Sequence, residues 1–265
     1  MFRRKNNNSK RNLLKKIFIF ALFILILLAI YFFFNSSLFK IKNISLKTES
    51  LDCLGNNEEI KKDSEIVSQN TIFFNSKNVE KKLKNKFYCI KTIIFAKKFP
   101  NGMELTIIGR KAEAKLIPLP IYEATASSNL ENIATPSATD IFLVDGEGKV
   151  FSKGDLAGDL PIILIYKGSL NLGENLGVYI INALKILNKI GPFGIDSKLS
   201  KIATGEFLVT GTVPKIIFKL TEQIDIQLAS LQLILEQAKI DQSRLEFIDL
   251  RFDKPVVRFA PKKNG

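Results

Sequence analysis

Ile17 to Phe34 reads IFIFALFILILLAIYFFF, eighteen apolar residues without a charge. As a helix, the run rises about 27 Å at 1.5 Å per residue, close to the thickness of a bilayer's hydrocarbon core. Leu13 and Leu14 can extend it. In hydrocarbon the backbone must satisfy its own hydrogen bonds, which selects a helix. Arg3, Arg4, Lys5, Lys10, Arg11, Lys15 and Lys16 precede the run, with no acidic residue among the first sixteen. The positive-inside rule then places residues 1–16 in the cytoplasm and residues 35–265 outside. A cleaved signal peptide calls for a shorter apolar region followed by a small-x-small site. Here Phe32, Phe33, Phe34 and Asn35 precede the small pair Ser36 and Ser37. The expectation is an uncleaved, single-pass anchor at 17–34 whose basic tail, 1–16, orients the helix and attracts anionic lipid.

The formal net charge is +13, and seven of those charges lie in the tail, so the remainder carries only +6. No basic stripe with interleaved aromatics appears, so nucleic acid is not an expected partner. The chain has no His, which removes His-dependent acid–base chemistry and His-ligated metals. Its two cysteines, Cys53 and Cys89, are too few for a structural zinc site. Both lie outside the membrane in the expected topology, where a disulfide is tolerated. Such a bond would stabilise by about 3–4 kcal/mol in the chain-entropy picture. A Cys53–Cys89 disulfide is therefore an expectation.

The exterior part opens with Phe39-Lys40-Ile41-Lys42-Asn43-Ile44-Ser45-Leu46, a strand pattern broken near Lys42-Asn43 as a bulge would break it. Asn56 and Glu59 resemble a capping box opening a helix through Val67. Asn75 and Ser76 open a second helix, with Val79, Leu83 and Phe87 on one face. Strands follow at about 89–98 and 103–110, joined by Pro100-Asn101-Gly102, a hairpin signal. The order β-α-α-β-β predicts a compact unit with two helices on one face of a small sheet.

Residues 122–140 are rich in Ala, Ser, Thr and Asn and have neither period, which predicts a flexible insertion or linker over 120–140. Ile141 to Val144 and Lys149 to Phe151 flank Asp145-Gly146-Glu147-Gly148, another hairpin. Leu160-Pro161 leads into an apolar stretch through Tyr166. Ile180, Ala183, Leu184, Leu187 and Ile190 form a helical stripe stopped by Gly191-Pro192. Strands are predicted at 199–204, 206–211 and 215–220. A helix carries Ile224, Leu228, Leu231, Leu235 and Ala238, and the last strands are 245–252 and 256–259. The fold class is α+β, with a mixed α/β second domain built on a largely antiparallel sheet.

Catalytic motifs are weak. Ser37-x-x-Lys40 has the spacing of a penicillin-binding-protein nucleophile pair but lacks its Lys-Thr-Gly and Ser-Asp-Asn companions. Gly146-x-Gly148-Lys149 lacks the full phosphate-loop spacing and joins two strands. Asp249, Arg251 and Asp253 alternate with Ile248, Leu250 and Phe252, as a half-buried strand with a charge ladder would. Arg does not titrate usefully, so this set is not an acid–base site. No catalytic residue, cofactor, metal or small-molecule substrate is expected.

Several segments together resemble the FtsQ/DivIB family of bacterial cell-division proteins. Phe39-x-Ile41-x-x-Ile44 is similar to the family's opening strand. Phe99-Pro100, Leu105-x-Ile107 and Arg110 look like the hairpin that closes a POTRA domain. Phe142-Leu143-Val144-Asp145 with Gly148-x-Val150-Phe151, then Leu160-Pro161 and Leu172-Gly173, resembles the start of the second domain. Ile248-Asp249-Leu250-Arg251-Phe252 is the most specific match. The family's Glu-Arg-x-Pro-x-Ala is altered, with Gly109 for the Glu and Ala112 for the Pro, while Arg110 and Ala114 remain. The longer loop holding Cys53 and the 120–140 insertion also mark a divergent member.

The resemblance implies a POTRA-like domain over 38–115, a β-rich domain over 141–260 and a short tail, 261–265. It implies a non-enzymatic scaffold that sits at the division septum, recruits FtsB- and FtsL-like single-pass partners and helps regulate septal cell-wall synthesis. Carried over by position, partner binding falls on Arg251, Phe252, Val256, Val257, Arg258 and Phe259. A terminal strand with a free edge suits that role, because a partner strand would satisfy its backbone groups. An alternative expectation is another membrane-tethered adaptor for export or assembly.

Overall fold

The computed structural model describes residues 7–48, 57–119, 141–155, 158–203, 205–210, 213–220, 223–240 and 244–260. Cys53 and the expected insertion, 120–140, lie outside the described residues, as does the 261–265 tail. The described chain forms two compact units, one of residues 7–48, 57–83 and 93–107, the other of 84–92 and 108–260.

In the first unit, helix α1 (Asn7–Phe34) contains the apolar run. Its Lys15–Phe34 stretch is long and apolar enough to cross a membrane, and none of it is buried against protein. A 3-10 turn, Ser37–Phe39, follows. Strand β1 (Asn43–Thr48) begins four residues later than the pattern predicts. The reason lies in the hydrogen bonds: Ile41 N–H donates to Gln69 O, and Lys42 and Asn43 N–H both converge on Asn101 O. The break in alternation is thus the start of the strand.

Helix α2 (Asn57–Asp63) stops short of the expected Val67. Ser64 Oγ donates to the Lys61 carbonyl at 2.7 Å, and Glu65 adopts φ 49°, a left-handed turn that ends a helix. Helix α3 (Ser76–Lys86) buries Val79 and Leu83. Strands β2 (Ile90–Lys98) and β3 (Gly102–Gly109) complete a three-stranded sheet ordered β1-β3-β2. β1 runs parallel to β3, from Asn43 opposite Gly102 to Thr48 opposite Ile107. A Cβ on Gly102 would sit 2.8 Å from Lys98 O, so this turn requires glycine. Ile41, Ile60, Ile66, Met103, Leu105 and Ile107 are almost wholly buried.

The second unit is built on a nine-stranded sheet. Its strands are β4 (Ala114–Leu119), β5 (Phe142–Val144), β6 (Val150–Lys153), β7 (Ile162–Tyr166), β8 (Leu199–Ala203), β9 (Glu206–Val209), β10 (Lys215–Lys219), β11 (Leu245–Asp249) and β12 (Val256–Phe259). The order is β12-β11-β10-β9-β8-β7-β4-β5-β6. Five of its pairings are antiparallel and three are parallel, so the sheet is mixed. β4 was not expected. It pairs with β5 and β7, so the expected domain boundary at 115 falls inside a strand of this sheet.

Helices α4 (Val178–Ile190) and α5 (Ile224–Ile240) bring their apolar stripes to the main core. Ile180, Ala183, Leu184, Leu187, Leu228 and Leu231 pack there with Leu116, Ile163, Phe207, Val209, Ile216, Phe218 and Ile248 from the sheet. Each large side chain so buried contributes about 1.5–3 kcal/mol. The opposite sheet face carries a second cluster around Ile117, Ile141 and Leu164.

Candidate functional site

Arg251 and Phe252 do not lie on a strand. β11 ends at Asp249, whose Oδ1 accepts the Arg251 backbone N–H at 3.1 Å and turns the chain. Leu250 then points inward, 2% exposed, and its N–H donates to Ile217 O. The expected charge ladder Asp249–Arg251–Asp253 is therefore a turn, closed by an aspartate that competes for the backbone.

The turn assembles a fixed ion cluster. Arg251 Nε and Nη2 donate to Asp249 at 2.9 and 2.6 Å, and Nη1 reaches Glu206 Oε1 at 2.7 Å. Burial opposes ionisation of Asp249, but the hydrogen bonds from Arg251 outweigh it and hold the carboxyl below its ordinary value. The same bonds, to Asp249 first and Glu206 second, raise Arg251 above the ordinary arginine value. Phe252 is held outside this cluster, 58% exposed, with its ring 5.5 Å from the guanidinium.

Two clefts share Arg251, Phe252 and Lys219. One, of about 400 Å³, is also lined by Ile226, Gln227 and Ser230 of α5. The other, of about 340 Å³, reaches Tyr179 of α4 and Glu206 of β9. Gln227 is buried and clasps Lys219 as a strand would, accepting from its N–H and donating to its carbonyl at 2.9 Å each. Sequence reasoning missed Ile226 and Tyr179. The available signal was an apolar side chain lying off the helix stripe; both are more than half exposed.

β12 is the last strand of the sheet, with β11 as its one neighbour among the described residues. Ala260 N–H donates to Arg244 O. By the alternation of an antiparallel pair, Arg258 and Val256 also face β11, and the backbone groups of Val257 and Phe259 face the open side. Val256 and Phe259 are each 53% exposed. Arg258 pairs with Glu246 at 3.0 Å and lies over the Phe247 ring. Val257 differs from the rest, because its side chain packs against the main core. Of the six predicted residues, it is the one packed on that core, while Phe259, two residues on and so on the same face, stays exposed.

A second cluster involves residues singled out in the sequence. Arg110 Nη1 is paired with Asp145 and reaches Glu147 at 3.0 Å; Lys91 reaches Glu147 at 3.1 Å. Lys91 first, and Arg110 second, hold the Glu147 carboxyl below its usual range. Asp145 Oδ1 accepts the N–H groups of Glu147 and Lys149 and so builds the β5–β6 turn. Gly173 sits at φ 82°, and a Cβ there would lie 2.4 Å from the Tyr88 ring. The predicted disulfide partner Cys89 is disulfide-bonded. No family model matches the chain, and no curated protein matches it.

Proposed function

We propose that this chain is a membrane-anchored, non-enzymatic scaffold of the FtsQ/DivIB type, which gathers FtsB- and FtsL-like single-pass proteins at the bacterial division septum and helps regulate septal cell-wall synthesis. In this reading residues 1–16 are cytoplasmic, Ile17–Phe34 holds the chain in the membrane, and both folded units lie outside the cytoplasm. The order β1-α2-α3-β2-β3, with β1 parallel to β3, supports a POTRA-like first unit.

The observation that carries the proposal is the open edge of β12 beside the exposed Phe252. A partner strand laid against Val257 and Phe259 would take up their outward N–H and C=O groups, which is the usual physics of strand addition. The clefts flanking Phe252 would receive its neighbouring apolar side chains. The test is capture of an FtsB-like protein by the full chain in detergent, together with fluorescent tagging in dividing cells. Co-purification and a midcell band are the expected results. Uniform membrane fluorescence with no capture would reject the reading.

A further inference from the structure

We infer that the first unit rests on the bilayer through an apolar face at the foot of α1, made by Leu38, Phe73 and Phe99. The inference rests on reading Lys15–Phe34 as a membrane span, and it adds a second contact with lipid beyond that helix. The three side chains are 58%, 66% and 64% exposed. Scattered exposed apolar residues are ordinary on a protein surface. These three differ because their segments meet at one buried residue, Thr71. Thr71 N–H and Oγ1 donate to Phe39 O at 2.7 and 2.9 Å, and Oγ1 also reaches Pro100 O at 3.2 Å. The turn holding Leu38, the loop holding Phe73 and the turn holding Phe99 are thereby tied together.

The knot sits where the apolar helix ends. Asn70 Nδ2 donates to Phe34 O, the last carbonyl of α1, at 2.8 Å. Asn70 Oδ1 accepts the Ile72 N–H at 2.8 Å, and Lys97 Nζ donates to Ile72 O at 3.1 Å, which fixes the loop that presents Phe73. Phe73 is three residues from Asn70, a reach of at most about 11 Å. The headgroup layer on each side of a bilayer is about 5–8 Å thick. A helix that spans the membrane therefore leaves the Phe73 loop within reach of that layer, and the Thr71 hydrogen bonds keep the Leu38 and Phe99 turns beside it. Aromatic rings are favoured there, and exposed Lys40 and Lys42 can extend to lipid phosphates.

The chain has no Trp, so single substitutions make clean reporters. Phe73→Trp, Phe99→Trp and, inside the span, Phe23→Trp are each introduced into the full chain. The variants are reconstituted into phosphatidylcholine–phosphatidylglycerol vesicles carrying brominated lipids. The expected result is quenching at all three positions, roughly two-fold at Phe73 and Phe99 when the bromines lie near the headgroups and weaker when they lie near the chain ends, as suits interfacial rings. Quenching at Phe23 alone, with iodide quenching the other two, would overturn the lipid contact, leave the anchor standing and assign the face to water or a protein partner. Loss of quenching at Phe23 would overturn the anchor reading and the lipid contact with it.

Discussion

The two edges of the nine-stranded sheet are treated differently. At the β6 edge, Val150 N–H donates to Glu174 O, Gly173 N–H returns to Val150 O, and Leu176 N–H reaches Gly148 O. The 171–176 segment thus covers the start of that strand, and Val150 and Phe151 are buried. At the β12 edge there is no such cover among the described residues, and Val256 and Phe259 stay exposed. An open edge is an aggregation hazard that proteins normally blunt. Covering one edge and leaving the other beside an exposed aromatic is the arrangement that the proposed strand-accepting role calls for.

The largest expected effect is on the covered edge. Gly173→Val puts a branched side chain in the left-handed region and into Tyr88, and should cost about 3 kcal/mol of stability. Denaturant unfolding measures this, and a Tyr88→Ala background should recover only the steric part. Loss of less than about 1 kcal/mol would show that the cover contributes little.

Next comes the ion cluster that shapes the open edge. Arg251→Gln should cost about 2 kcal/mol at neutral pH, because it leaves the buried Asp249 carboxylate short of donors. The Asp249 carboxyl lies below its unfolded value in the native protein. Its contribution is therefore complete above about pH 4 and lost as pH falls through the folded value. The difference between Arg251→Gln and the parent should shrink over that window. A difference independent of pH would contradict the assigned pairing.

Phe252→Asp combined with Phe259→Asp should weaken capture of an FtsB-like partner at least about ten-fold, or about 1.4 kcal/mol. Both side chains are exposed, so the unfolding midpoint should hardly move. Val257→Asp should lose capture and stability together, because its side chain packs on the core. Equal behaviour of Val257→Asp and the Phe pair would erase the distinction between the β12 side chain packed on the core and the exposed ones. The smallest effect is expected at Lys185→Met, which breaks an exposed pair with Asp225 between α4 and α5. It should change stability by about 0.5 kcal/mol or less, and leave capture unaltered.

Most elements were legible because their periodicity is strong: the stripes of α3, α4 and α5 and the hairpin turns at Asn101-Gly102 and Gly146 appear where the pattern predicts them. β4 was not legible. Its Lys115 and Pro118 argue against a central strand. The structure accommodates both. β5 pairs only with residues 114–116, so the missing N–H of Pro118 faces no ladder on that side. Lys115 is buried with its ammonium paired to Asp155 and the Gly158 carbonyl. At the candidate site, the sequence placed the six residues near one another but misread the path between them. Alternation alone could not reveal that the Asp249 side chain would capture the Arg251 N–H and end the strand. The two clefts were invisible for a different reason, since they form where α4, α5, β9 and the turn after β11 converge from distant parts of the chain.

Amide hydrogen exchange across β12, with and without an FtsB-like partner, tests the open edge most directly. In the free protein, the Val256 and Arg258 amides should exchange slowly and the Val257 and Phe259 amides quickly; the partner should slow the latter pair. Equal protection of all four in the free protein, or no slowing when the partner is bound, would contradict a strand-accepting edge.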